Sequence, residues 1–149
     1  MVATTGSASV EIDASPEVVY SVLSDIGRIS ELSPECYKAE WEHGATGPEV
    51  GAAFRGYNRN SRSEWDAGCV VVAAELGKEW AFDVPAPDGR ITTWRYVIEA
   101  NGSGSRVTES FDSPILDGEH FQKINRHGLL LQNMATTLDN LKAVAEAEA

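Results

Sequence analysis

The sequence predicts an α+β fold: a curved antiparallel sheet of about seven strands, two short helices, and a long C-terminal helix that together enclose a cavity. Three observations carry this. Apolar and polar residues alternate with period two in a run of segments from Tyr37 to Asp112, and once before it, from Ser9 to Asp13. Spacings of three and four occur after that first strand and again from about Asp117 to Glu146. The connections between the strand-like segments are short, which makes them an antiparallel meander. A sheet so ordered curls around the closing helix and leaves a hollow between them.

In the first strand Val10 and Ile12 alternate with Glu11 and Asp13. Ser15-Pro16-Glu17 then starts a helix. Ser15 caps free N–H groups, Pro16 is pre-set for the first helical position, and Glu17 suits the positive end of the dipole. Val18, Val22 and Ile26 share a face, with Val19 and Leu23 beside them. Gly27 interrupts, Ile29 and Leu32 give one more amphipathic turn, and Ser33-Pro34 stops it.

The meander follows. Tyr37, Ala39 and Trp41 alternate with Lys38, Glu40 and Glu42, and a loop runs from His43 to Pro48. Phe54, Gly56 and Asn58 share one face of the next strand, with Arg55, Tyr57 and Arg59 on the other. Asn60-Ser61-Arg62-Ser63 reads as a hairpin turn before a longer strand beginning at Trp65. After a turn at Glu75–Lys78, Trp80, Phe82 and Val84 alternate with Ala81 and Asp83. Pro85-Ala86-Pro87-Asp88-Gly89 is a loop, because two prolines and a glycine forbid a central strand. Thr92, Trp94, Tyr96 and Ile98 alternate with Thr93, Arg95, Val97 and Glu99 in the next strand, and Val107, Glu109 and Phe111 with Arg106, Thr108 and Ser110 in the last, across a turn at Asn101–Ser105. In the closing helix Phe121, Ile124, Gly128, Leu131, Met134, Leu138 and Leu141 make the apolar stripe, widened by Leu129 and Leu130, and the Ala/Glu end after Val144 is expected to fray.

The chain has 149 residues, enough for one domain, 1–149, with a real core. Hydrophobic residues make up 42% and mean hydropathy is -0.25, which excludes a disordered chain. A net charge of -11 and pI ≈ 4.6 repel phosphate backbones and anionic headgroups, so nucleic-acid partners and stable membrane insertion are not expected. No stretch reaches the roughly 20 apolar residues of a membrane span. Met1–Ser9 lacks a basic residue and an apolar run, so a secretory signal is not expected. Cys36 and Cys69 read as two buried thiols rather than a disulfide or metal pair, consistent with a reducing cytoplasm.

The candidate site residues follow from these alternating rows. Phe54, Trp65, Trp80, Phe82, Trp94 and Tyr96 recur on alternate positions of consecutive strands, either as core or as the wall of a cavity. Phe121 and Leu131 would face them from the helix. Asn58 and Glu109 each interrupt an apolar face. A buried Glu109 would have a raised pKa suited to acid or base work, with Asn58 orienting a carbonyl or enolate oxygen. The alternative is a carboxylate paired with Arg55 or Arg95, or exposed on the convex face. Arg95 and Arg106 are expected outside the sheet. His43, His120 and His127 form no metal-ligating spacing, and no cofactor motif is present, so neither metal nor cofactor is expected.

The same order of elements resembles the START-like superfamily with its helix-grip fold, over nearly the whole chain. The nearest likeness is to bacterial polyketide cyclase/dehydratase-like proteins. The matching segments are Ile12-Asp13-Ala14-Ser15-Pro16-Glu17-Val18-Val19-Tyr20, Asp25-Ile26 leading to Ser33-Pro34-Glu35, and Val50–Arg59, with Thr93-Trp94-Arg95-Tyr96 and Ser105–Ser110. The resemblance implies a cavity for a polyketide- or lipid-like molecule, and it covers enzymes as well as carriers, so fold alone does not choose between them. Three functions stay open: a carrier of a small hydrophobic or aromatic ligand, a cofactor-free aromatase/cyclase or dehydratase, and an interaction domain with a filled cavity. Either a monomer or a homodimer is compatible. A uniformly apolar lining favours the carrier, neighbouring hydrogen-bonding side chains favour the enzyme, and no cavity favours the third.

Overall fold

The computed structural model describes residues 2–149. Seven antiparallel strands form one sheet: β1 (Thr5–Ile12), β2 (Cys36–Glu42), β3 (Ala53–Arg59), β4 (Glu64–Glu75), β5 (Glu79–Pro85), β6 (Ile91–Asn101) and β7 (Gly104–Asp112). Their order is β1-β7-β6-β5-β4-β3-β2, a meander from β2 to β7 with β1 added beside β7. Helix α1 (Pro16–Ser24) and a 3₁₀ turn (Ile26–Glu31) connect the two edges. A 3₁₀ turn (Pro114–Asp117) and a short α2 (Glu119–Lys123) lead into α3 (Arg126–Glu148).

Local chemistry sets the boundaries. Ser15 Oγ accepts the Val18 N–H at 3.2 Å and caps α1, with Pro16 in its first turn. Asn60 Oδ1 accepts the N–H groups of Arg62 and Ser63 and closes the β3–β4 hairpin. Gly102 turns β6 into β7 with φ 61, a left-handed conformation that glycine adopts without steric cost.

α3 packs against β1 and α1, and its buried face is Leu130, Met134, Thr137, Leu138, Leu141 and Ala145. These meet Ile12, Val19, Val22, Ile98 and Val107 in the core.

Four expectations are corrected here. β1 begins at Thr5, not Ser9, because its inner positions are Gly6 and Ala8, too small to show as an apolar period. Gly6 lets the side chains close over this strand: a Cβ there would stand 2.7 Å from Phe111 and 2.8 Å from Leu131, so both side chains would have to shift. The closing helix does not run unbroken from Asp117. Asn125 takes the left-handed conformation (φ 51, ψ 50) and its side chain caps α3 at Gly128, so the helix restarts at Arg126 with a new phase. That phase turns Leu130 inward and leaves Leu131 38% exposed over Gly6. Finally, the Ala/Glu end stays helical to Glu148: Ala145 is fully buried, and Glu146 accepts the Asp13 N–H at 2.8 Å.

Candidate functional site

A cavity of about 250 Å³ lies between the concave face of the sheet and α3. Alternation along each strand puts one row of side chains on this face. From β3 to β6 the rows supply Phe54, Trp65, Trp80, Phe82, Trp94 and Tyr96, and all six line the cavity. Phe54 packs edge-on against Phe82 with ring centroids 5.3 Å apart, and Trp80 stands 6.3 Å from Phe82. Leu130, Met134 and Phe121 close the opposite side, with Leu23 and Ile26 at one end. Leu131, placed in this wall by the sequence, is outside it for the reason given above.

Glu109 lies inside, only 2% exposed, between Val107 and Phe111 on the inner face of β7. Neither arginine considered for it is near. Arg55 donates to Glu42 and Asp66, and Arg95 pairs with Glu79, all on the other face. Arg106 likewise pairs with Glu11 at the surface. The partner of Glu109 is Tyr96, directly opposite on β6, whose hydroxyl donates to Glu109 Oε2 at 2.9 Å. Glu109 Oε1 is buried and, among the described residues, has no hydrogen-bond partner. Burial pushes the Glu109 carboxyl up to about 8, partly offset by the bond from Tyr96. Burial, and then the neighbouring Glu109, push the Tyr96 phenol well above its ordinary value.

Asn58 also lines the cavity, half-buried, but it is not beside Glu109. β4, β5 and β6 separate their strands, and the Asn58 amide donates to Gly56 O at 3.4 Å.

A second polar group was not foreseen. Glu35, the residue just before β2, receives a two-pronged pair from Arg126, the first residue of α3, at 2.6 and 2.8 Å. Asn60 donates to it at 2.9 Å, and the Arg126 guanidinium lies over the Trp65 ring, 5.4 Å from its centroid. Burial alone would raise the Glu35 pKa, yet Arg126, Asn60 and Asn133 together hold it below the ordinary carboxylate range. Glu35 and Arg126 are 91 residues apart, and no spacing rule joins them. Thr92 and Ser113 also line the cavity and bond to each other at 2.8 Å.

Both thiols line the cavity as well, Cys69 buried and Cys36 half-buried. A β-bulge between Cys36 and Lys38 reverses the alternation at the start of β2. It turns Cys36 inward and Tyr37 outward, where Tyr37 donates to Glu64 and stacks beneath Arg59. The Cys69 thiol is pushed up to about 12, mainly by burial. His43 and His120 are exposed, and His127 bonds the Thr5 carbonyl at 2.8 Å. Among the described residues no three His, Cys, Asp or Glu side chains gather to hold a metal ion, and no helix is long and apolar enough to cross a membrane.

Comparison with known proteins agrees with this architecture. Among solved structures, a polyketide-cyclase-like protein from Corynebacterium glutamicum is 29% identical over 97% of this chain and 93% of its own, with a TM-score of 0.66. A protein from Nitrosomonas europaea shares 11% identity over 97% and 96%, with a TM-score of 0.74, a likeness of fold alone. The two-domain aromatase/cyclase of the steffimycin biosynthetic pathway shares 14% identity and the fold, with a TM-score of 0.76, and the chain covers 97% of itself and 51% of that protein. No curated protein sequence matches. The family model described as polyketide cyclase / dehydrase and lipid transport matches residues 3–146, and the chain belongs to that family.

Proposed function

We propose that this protein binds a small hydrophobic or aromatic, polyketide- or lipid-like molecule in the cavity between sheet and α3. The observation that carries the reading is the cavity itself: about 250 Å³ walled by six aromatic side chains of the sheet, where a fully packed core would leave almost no space. A cavity of roughly 150 Å³ lined by aliphatic and aromatic groups already holds a benzene ring, so this one suits a molecule of two fused rings. The space argues against an interaction domain with a filled core. Two free thiols support a reducing compartment such as the cytoplasm.

A second reading, a cyclase- or dehydratase-type enzyme, is favoured by the Tyr96–Glu109 pair. Ionised Glu109 would take a proton from the carbon beside a ketone. Protonated, it would give one to a departing hydroxyl, which leaves as water. Confinement by the aromatic wall would supply the remaining advantage, by holding the reacting ends together. Asn58 lies too many strands away to act on the same atom, so its role would be at the far end of the ligand.

Native mass spectrometry of freshly purified protein, paired with tryptophan emission, tests the binding reading. A co-purified mass, or quenching by an added naphthalene probe with a rise in Tm, is expected. At about 100 times its Kd a ligand stabilises the fold by roughly 2.7 kcal/mol. No bound mass together with unchanged emission and Tm across a panel of apolar probes would remove the reading.

A further inference from the structure

We propose that Glu109 serves as an uncharged hydrogen-bond donor to the ligand, so that the cavity selects neutral molecules bearing an acceptor oxygen and rejects carboxylates of the same size and shape. The inference rests on the ligand-binding reading above and adds the ligand's chemistry to it.

Geometry carries the argument. Glu109 is 2% exposed and lines the cavity, with one oxygen held by Tyr96 and the other without a partner. A hydroxyl that donates to Oε2 leaves Oε1 as the position for the carboxyl proton. A proton there has no acceptor among the described residues, so a ligand oxygen is the group that completes it.

The surroundings decide the charge. β6 presents Tyr96 to Glu109, and β1 presents Ala8. α3 contributes the apolar Leu130 and Met134 to the lining. The other titratable side chains of the cavity are Cys36, Cys69, Glu35 and Arg126. Arg126, the single cation among them, is committed to Glu35 through both prongs of its guanidinium. Among the described residues no cation is therefore left in the lining to balance an ionised Glu109, let alone a second carboxylate brought by a ligand. Burying an unpaired charge costs far more than burying a ketone that receives one hydrogen bond. A fatty-acid-like head is the wrong chemistry for this end of the cavity; a ketone, quinone or phenol is the right one.

The test measures binding of three two-ring probes of matched shape: acetylnaphthalene, naphthoate and ethylnaphthalene. Titrations run from about pH 6.5 to about pH 9.5, with circular dichroism confirming the fold at each pH. The ketone is expected to bind at least tenfold more tightly than the carboxylate. Its Kd is expected to stay level below the Glu109 pKa of about 8 and to rise about tenfold per pH unit above it, because only the protonated fraction is competent. The hydrocarbon should bind with no pH dependence. Glu109→Gln keeps an N–H donor, so it should retain the ketone and lose the pH dependence. The wild-type profile stands without the variant if that variant folds poorly. Naphthoate binding as tightly as the ketone, or a ketone profile as flat as the hydrocarbon's, would overturn the proposal while leaving the cavity as a binding site. Failure of all three probes would remove both.

Discussion

Glu35 and Glu109 line the same cavity and are both buried, yet their surroundings drive them to opposite states. Glu35 has a guanidinium on both oxygens and amide donors beside it, and it stays ionised below the ordinary range. Glu109 has one phenol and, among the described residues, no cation and an oxygen without a partner, and it is pushed up to about 8. Burial works in the same direction on both. The partner decides the outcome, and with it the use to which each residue can be put. A satisfied ion pair such as Glu35–Arg126 ties the start of β2 to the start of α3 and offers a ligand little. An incomplete hydrogen-bonding group such as Glu109 is destabilising in isolation and informative for that reason.

The contrast has its largest consequence in the pH dependence of stability. In the unfolded chain Glu109 ionises near 4.5, in the folded chain near 8, so between these values the folded state holds the extra proton. Stability should therefore fall as pH rises from about 4.5 to about 8, by an amount on the order of 5 kcal/mol from this group, and level off above. Glu109→Gln should remove that slope. Denaturant titrations of both proteins across the range measure it, and equal slopes would show that Glu109 ionises freely.

Removing the cation from the other carboxylate comes next. Arg126→Met leaves Glu35 buried without its partner and should cost about 3 kcal/mol at neutral pH. The double variant with Glu35→Gln should recover most of that loss. A single variant as stable as wild type would mean that the pair is open to water.

Acid tests the same pair from the other side. The Glu35 pKa is lowered, so its contribution is present above the unfolded value and disappears as pH falls through the folded one. Glu35→Gln should flatten the stability curve below about pH 4.5 and leave the slope above it in place. Loss of the upper slope instead would assign the two carboxylates the wrong way round.

The smallest effect is at Tyr96. The hydroxyl lowers the Glu109 pKa, so Tyr96→Phe should raise it further and cost about 1 kcal/mol at high pH. Carbon NMR of labelled glutamate carboxyls reads this shift directly. A downward move would contradict the donor role of the phenol.

Much of this arrangement was legible in the sequence, and the exceptions share a cause. Strands announced themselves where large residues alternate, as Trp94, Tyr96 and Ile98 do. The alternation put Glu109 on the same face as Val107 and Phe111, because the side-chain period is two, but left open whether that face turns inward; the curvature of the sheet around α3 decides it. Its partner Tyr96 required the β6–β7 register, which the turn at Gly102 sets only in three dimensions. Leu131 was misplaced because a single left-handed residue, Asn125, resets the helical phase. Tyr37 was misplaced because one bulge resets the strand phase. The Glu35–Arg126 pair was missed outright, since Glu35 follows a proline where the chain looks like a helix stop, and nothing local marks a glutamate for an arginine on the last helix.

The central claim is that a ligand sits between the aromatic face of the sheet and α3. Intermolecular nuclear Overhauser effects from bound acetylnaphthalene test it most directly. The account predicts contacts to the Met134 methyl group, Leu130, Phe54 and Trp80, which line the cavity from both sides. Contacts confined to Val70, Val72 and Val97, exposed on the outer face of the sheet, would contradict it.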